Sequence, residues 1–95
     1  MPIYILILKR GYKDMRVTKY KVELDLQFLE SAIKQHKDEV MYGKPTIDSK
    51  SSLLDKSIFI LGDIQLLSPD FEIDREDPLF KKLAKLQYEI MQLSR

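Results

Sequence analysis

Ser57-Ile-Phe-Ile-Leu-Gly-Asp-Ile-Gln-Leu-Leu67 is the stretch on which the fold turns. Ile58, Phe59, Ile60 and Leu61 are apolar without a break, the pattern of a strand covered on both faces. Gly62-Asp63 then reads as a bulge in one bent strand or a two-residue hairpin turn, and the short flanks favour the bent strand. A strand needs neighbours, and two earlier stretches supply them. Residues 3–8, Ile-Tyr-Ile-Leu-Ile-Leu, are apolar on both faces and read as a central strand. Residues 16–24 alternate, with Thr18, Tyr20, Val22 and Leu24 on one side and Val17, Lys19, Lys21 and Glu23 on the other. That is a half-exposed strand, paired with the first through a turn at Gly11. Beyond Leu67, Ser68-Pro69-Asp70 is a turn, and Phe71 and Ile73 add a short edge strand.

Two amphipathic helices complete the outline. Asp25 is read as the cap of a helix running to about Tyr42, with Leu26, Phe28, Leu29, Ala32, Ile33, Val40 and Met41 as its apolar face and Gly43 as its stop. The last helix is the clearest element. Leu79, Leu83, Leu86, Ile90 and Leu93 form one stripe at helical spacing, Asp77 is its N-cap, and Pro78 sits where no amide donor is missed. Residues 43–56 (GKPTIDSKSSLLDK) read as a long mobile loop. The expected fold class is α+β: a mainly antiparallel sheet of three to four strands with two amphipathic helices, in the order β-β-α-β-(β)-α. Residues 1–95 form a single small domain in this reading. Two helices on one face of a sheet would leave the other face to a partner, which argues for a homodimer.

Composition narrows the function classes. Hydrophobic residues make up 44% and charged residues 33%, with a formal net charge of +1. Whole-molecule steering toward a polyanion is not implied. The 95 residues contain no cysteine, which removes disulfides and thiolate chemistry and fits a cytoplasmic setting. The first apolar run is too short to span a bilayer, and its charges follow it, unlike those of a signal peptide; no membrane association is expected.

Four features are candidates for binding or chemistry. Lys9, Arg10, Lys13, Arg16, Lys19 and Lys21, opposed by Asp14 and interleaved with Tyr12 and Tyr20, would line a basic hairpin over residues 9–21. Such a surface can dock a protein, or neutralise phosphates and stack bases of a single strand. Asp63, Asp70, Glu72, Asp74, Glu76 and Asp77 form an acidic cluster, and the alternation of Asp70, Glu72 and Asp74 could face a hard cation. Favourable negative charge ahead of a helix explains it better, so no metal site and no cofactor are expected. His36 falls on an apolar helix stripe and has no positioned neighbour of the kind a catalytic histidine needs. Leu79, Leu83, Leu86, Ile90 and Leu93 either pack on the sheet or pair with a symmetry mate or partner.

No serine stands in a nucleophile elbow, and three glycines do not build a phosphate loop. The expectation is therefore a non-enzymatic protein-binding module, homodimeric, with Lys9, Arg10, Tyr12, Lys13, Arg16, Lys19 and Lys21 as its contact surface. Single-stranded nucleic-acid binding through the same hairpin is the alternative. In size and motif poverty the chain resembles the inhibitors, immunity proteins and accessory subunits that phages and mobile elements encode.

Overall fold

A computed structural model describes residues 17–68 and 72–94 of the chain. It contains three helices: α1 (Lys19–Met41), α2 (Lys50–Leu67) and α3 (Pro78–Met91). Among the described residues there is no strand, so the α+β expectation is overturned. Each misreading has a local physical cause.

Helix α1 starts inside the alternating stretch that read as a strand. Thr18, with extended backbone, is its N-cap, and the Thr18 hydroxyl accepts from the Lys21 amide at 3.1 Å. Asp25 is not the cap; it lies two turns in, ion-paired with Lys21 at 2.8 Å. Period two and period 3.6 both accommodate Val22. What decides is the continuation: Val22, Leu26, Leu29, Ile33 and His36 are all buried, one stripe from end to end. A long helix on that stripe buries more apolar area than a short strand there would. At the other end Gly43 takes φ +70°. Its amide donates to the Val40 carbonyl at 3.1 Å, and the Lys44 amide donates to the Glu39 carbonyl at 2.8 Å. These two bonds close the helix in a Schellman motif, as the expected glycine stop implied.

Helix α2 replaces both the expected strand 57–67 and half of the expected loop 43–56. Ser49 caps it, its hydroxyl accepting from the Ser52 amide at 3.0 Å. The helix therefore already begins at Lys50 and runs through Gly62. Leu53, Ser57, Ile60 and Ile64 are buried at helical spacing. From Ile58 on, apolar residues stand on its exposed side as well as its buried one (Ile58, Phe59 and Leu66 beside Ile60 and Ile64), so periodicity over this stretch did not betray the helix.

Helix α3 forms as expected. The Asp77 carboxylate accepts from the Leu79 amide at 2.8 Å, Pro78 opens the first turn, and Leu79, Leu83, Leu86 and Ile90 are buried. Lys81, Lys82 and Lys85 are exposed. Lys50 donates to the carbonyls of Met91 at 3.2 Å and Leu93 at 3.0 Å, placing a cation where α3 leaves its last carbonyls unpaired.

The helices alternate in direction around one core. Lys21 meets Asp63 at one end of the α1–α2 pair, and His36 meets the residue just ahead of α2 at the other. Between α2 and α3, Gln87 donates to the Ser57 hydroxyl at 3.2 Å. The core is aliphatic: Val22, Leu26, Leu29 and Ile33 of α1, Leu53, Ile60 and Ile64 of α2, and Leu79, Leu83, Leu86, Ile90 and Leu93 of the last segment. Ile73 lies in irregular chain rather than an edge strand. The expected strand 3–8, the turn at Gly11 and Phe71 lie outside the described residues.

Candidate functional surface

Helix α2 offers more apolar surface than its two neighbours cover. Its core arc is Leu53, Ser57, Ile60 and Ile64. On its outward side Ile58 is 59% exposed, Phe59 69% and Leu66 56%. A helix that is apolar all round is normally buried all round. Ile58, Gly62 and Leu66 follow one another at intervals of four, so they share one outward line with a glycine at its middle. A methyl group at Gly62 would meet nothing within 4 Å in the described structure, and the Gly62 backbone is not in the left-handed region. The bundle itself thus has no steric need for glycine here, although glycine weakens a helix interior by about 0.5–1 kcal/mol relative to alanine.

Beside this line lies a groove of about 480 Å³ between α1 and α2, lined by Phe28, Leu29, Ala32, Phe59 and Ile60. Phe28 is itself 62% exposed. Lys21 and Asp25 also line the groove, as do Asp55 and Lys56. Behind Lys21 stands Asp63, buried and 3.8 Å from the ammonium. One Asp63 oxygen, Oδ2, accepts no hydrogen bond from the described residues. Burial pushes the Asp63 carboxyl above its ordinary value; Lys21 opposes the rise and Asp25 adds to it. The hydrogen bond to Asp25 holds the Lys21 ammonium above its own ordinary value.

The expected contact residues fall differently. Lys9, Arg10, Tyr12, Lys13 and Arg16 lie outside the described residues. Lys19 and Lys21 stand on the first turn of α1 rather than on a hairpin, and Lys21 is engaged by Asp25 and Asp63. Leu79, Leu83, Leu86, Ile90 and Leu93 are buried in the chain's own bundle, which leaves none of them exposed to a second molecule.

Asp70 of the acidic cluster lies outside the described residues, and the described members do not converge on one point. Asp63 is on α2, Asp74 accepts from the Glu76 amide at 2.9 Å, Glu76 pairs with Lys81 at 3.1 Å, and Asp77 caps α3. Among the described residues no three His, Cys, Asp or Glu side chains are grouped to hold a metal ion. His36 is 2% exposed, with Nδ1 2.7 Å from the Asp48 carbonyl oxygen, so it pins the loop ahead of α2 from within the core. Asp48 also accepts from Lys56 at 3.0 Å, tying the same loop to α2. Among the described residues no helix is long and apolar enough to cross a membrane.

Reading Ile58 to Leu61 as covered on both faces hid Ile58 and Phe59, and reading Gly62-Asp63 as a bulge or turn separated them from Leu66. The glycine between two apolar residues four apart on either side was the available signal. Comparison with family models, with curated proteins and with solved structures finds no match for this chain.

Proposed function

We propose that the chain is a small non-enzymatic protein-binding module that also pairs with itself, and that its contact surface is the outward line of α2. The observation that carries this reading is Ile58–Gly62–Leu66: two exposed aliphatic side chains flanking a helical glycine that the bundle does not require. Glycine at that place lets another backbone approach closely, and the two side chains bracket the contact. Phe59 adds a large exposed aromatic at its edge, the residue type that dominates interface energetics. What this surface offers a ligand is apolar contact area, which suits a protein better than a small polar substrate.

Sedimentation equilibrium tests the reading directly. The expected mass is twice the 11.2 kDa of one chain at high concentration, falling toward 11.2 kDa on dilution. The double variant Ile58→Asp/Leu66→Asp is expected to stay monomeric with an unchanged helical circular dichroism spectrum. Wild-type chain that remains monomeric at every concentration refutes self-pairing. A double variant that dimerises like wild type refutes the choice of surface.

A further inference from the structure

The α1–α2 groove has an apolar floor of Phe28, Leu29, Ala32, Phe59 and Ile60, with Asp55 and Lys56 also on its wall and Lys21 and Asp25 at one end, where Asp63 stands behind Lys21. Asp25 and Asp63 share the one Lys21 ammonium there, at 2.8 Å and 3.8 Å. Asp63 is buried, and its Oδ2 has no donor among the described residues. A buried carboxylate short of donors is costly, and a further donor or cation brought to it offsets that cost. The groove therefore fits an occupant that is apolar along its body and basic where it reaches Asp25, the end at which two carboxylates, Asp25 and the buried Asp63, stand against one lysine.

The chain's own sequence holds a stretch of that description. Residues 3–8 are Ile-Tyr-Ile-Leu-Ile-Leu, and Lys9 and Arg10 follow at once. Their tether enters at the right end: α1 begins at Lys19, one turn or less from Lys21, and Lys21 is the α1 residue that meets Asp63. A chain running along the groove from residue 3 would thus finish with its basic pair at the acidic end. Lengths agree as well. From Lys21 to Ala32 the groove follows α1 for about 16 Å, while six residues cover about 9 Å as helix and about 20 Å extended.

We propose that residues 3–8 of this chain are the occupant of the α1–α2 groove, against Phe28, Ala32 and Phe59, with Lys9 and Arg10 brought to Asp25 and Asp63. The assignment rests on the groove and its charged end. It also deepens the binding reading, on which it rests for the role of the outward face: it fills the groove from within, covers Phe59 from the groove side only, and leaves the Ile58–Gly62–Leu66 line to a partner.

The cysteine-free chain allows a clean test. Ala32→Cys is combined in turn with Tyr4→Cys, Ile5→Cys and Leu6→Cys in the full-length chain, and the pairs are oxidised mildly. Ser31→Cys, exposed and one position outside the groove, replaces Ala32→Cys in the controls. At least one Ala32 pair should close within a single chain about tenfold faster than its control, as a high local concentration of the two thiols requires. No Ala32 pair faster than control overturns the proposal. Disulfides that join two chains overturn it too, and give the groove to a second copy. As a further measurement, Ile5→Asp/Ile7→Asp should lower the melting temperature, and an unchanged one would mean that these residues are not buried. The sedimentation mass of the wild-type chain is read separately, so either proposal can fail while the other stands.

Discussion

Replacing Gly62 with alanine separates what the bundle needs from what a partner needs. Gly62 lies inside α2, and a β-carbon built there has no neighbour within 4 Å. The substitution should therefore realise the helix-propensity gain without a steric cost, roughly 0.8–1 kcal/mol in favour of the folded single chain. In a domain of this size that corresponds to a rise of about 4–8 °C in melting temperature. The same methyl group would stand in the notch between Ile58 and Leu66, where a second helix would have to approach. Self-association should then weaken by about tenfold, equivalent to about 1.4 kcal/mol. The assay is urea denaturation at a concentration where the wild type is monomeric, followed by sedimentation equilibrium over a wide concentration range. Because pairing itself raises apparent stability, the gain in melting temperature should shrink as the protein is concentrated. A Gly62→Ala chain that is less stable as a monomer would refute the claim that the bundle does not need this glycine. One that is more stable but pairs as tightly as wild type would refute the location of the interface.

Gly43→Ala should act with the opposite sign. Its φ of +70° forces a β-carbon into the left-handed region, at a cost of about 1 kcal/mol, so urea midpoints of the two glycine variants should move in opposite directions. Leu83→Ala removes a fully buried core side chain and should cost about 2–5 kcal/mol, enough to leave little cooperative unfolding in a circular dichroism melt. Lys21 predicts an alkaline effect. Its folded-state pKa is raised above the ordinary 10.5, so its stabilising contribution is full below that value and lost as pH rises through the folded pKa. The stability difference between wild type and Lys21→Met should accordingly shrink above pH 10.5, whereas a constant difference would mean that the Asp25 and Asp63 pairings do not matter.

Helix α3 was legible because every level of its sequence agreed: an Asp cap, a first-turn proline and an uninterrupted stripe from Leu79 to Leu93. The end of α1 was legible for the same reason, since Gly43 is the residue that a left-handed stop favours. The start of α1 was not. Val17 to Leu24 satisfies period two over eight residues, and only the longer stripe through His36 argues for a helix. Reading the segment in a short window made Asp25 look like a cap, when the threonine ahead of Lys19 does that work.

Helix α2 failed for a more informative reason. Periodicity identifies a helix through the contrast between a covered and a solvated face, and α2 has little contrast: Ile58, Phe59 and Leu66 are as apolar as the core residues Ile60 and Ile64. The misreading and the proposed function then share one origin. A helix selected only to complete this bundle could carry polar residues at positions 58, 59 and 66 and a better helix former at 62, gaining both solubility and stability. Departure from that pattern at all four positions, on one side of one helix, is what a second covering surface would require. The residues that made the fold hard to read are therefore the ones on which the binding surface is argued. Substituting them with polar residues should make α2 look like an ordinary amphipathic helix in sequence, and leave the bundle folded but without the proposed contact surface.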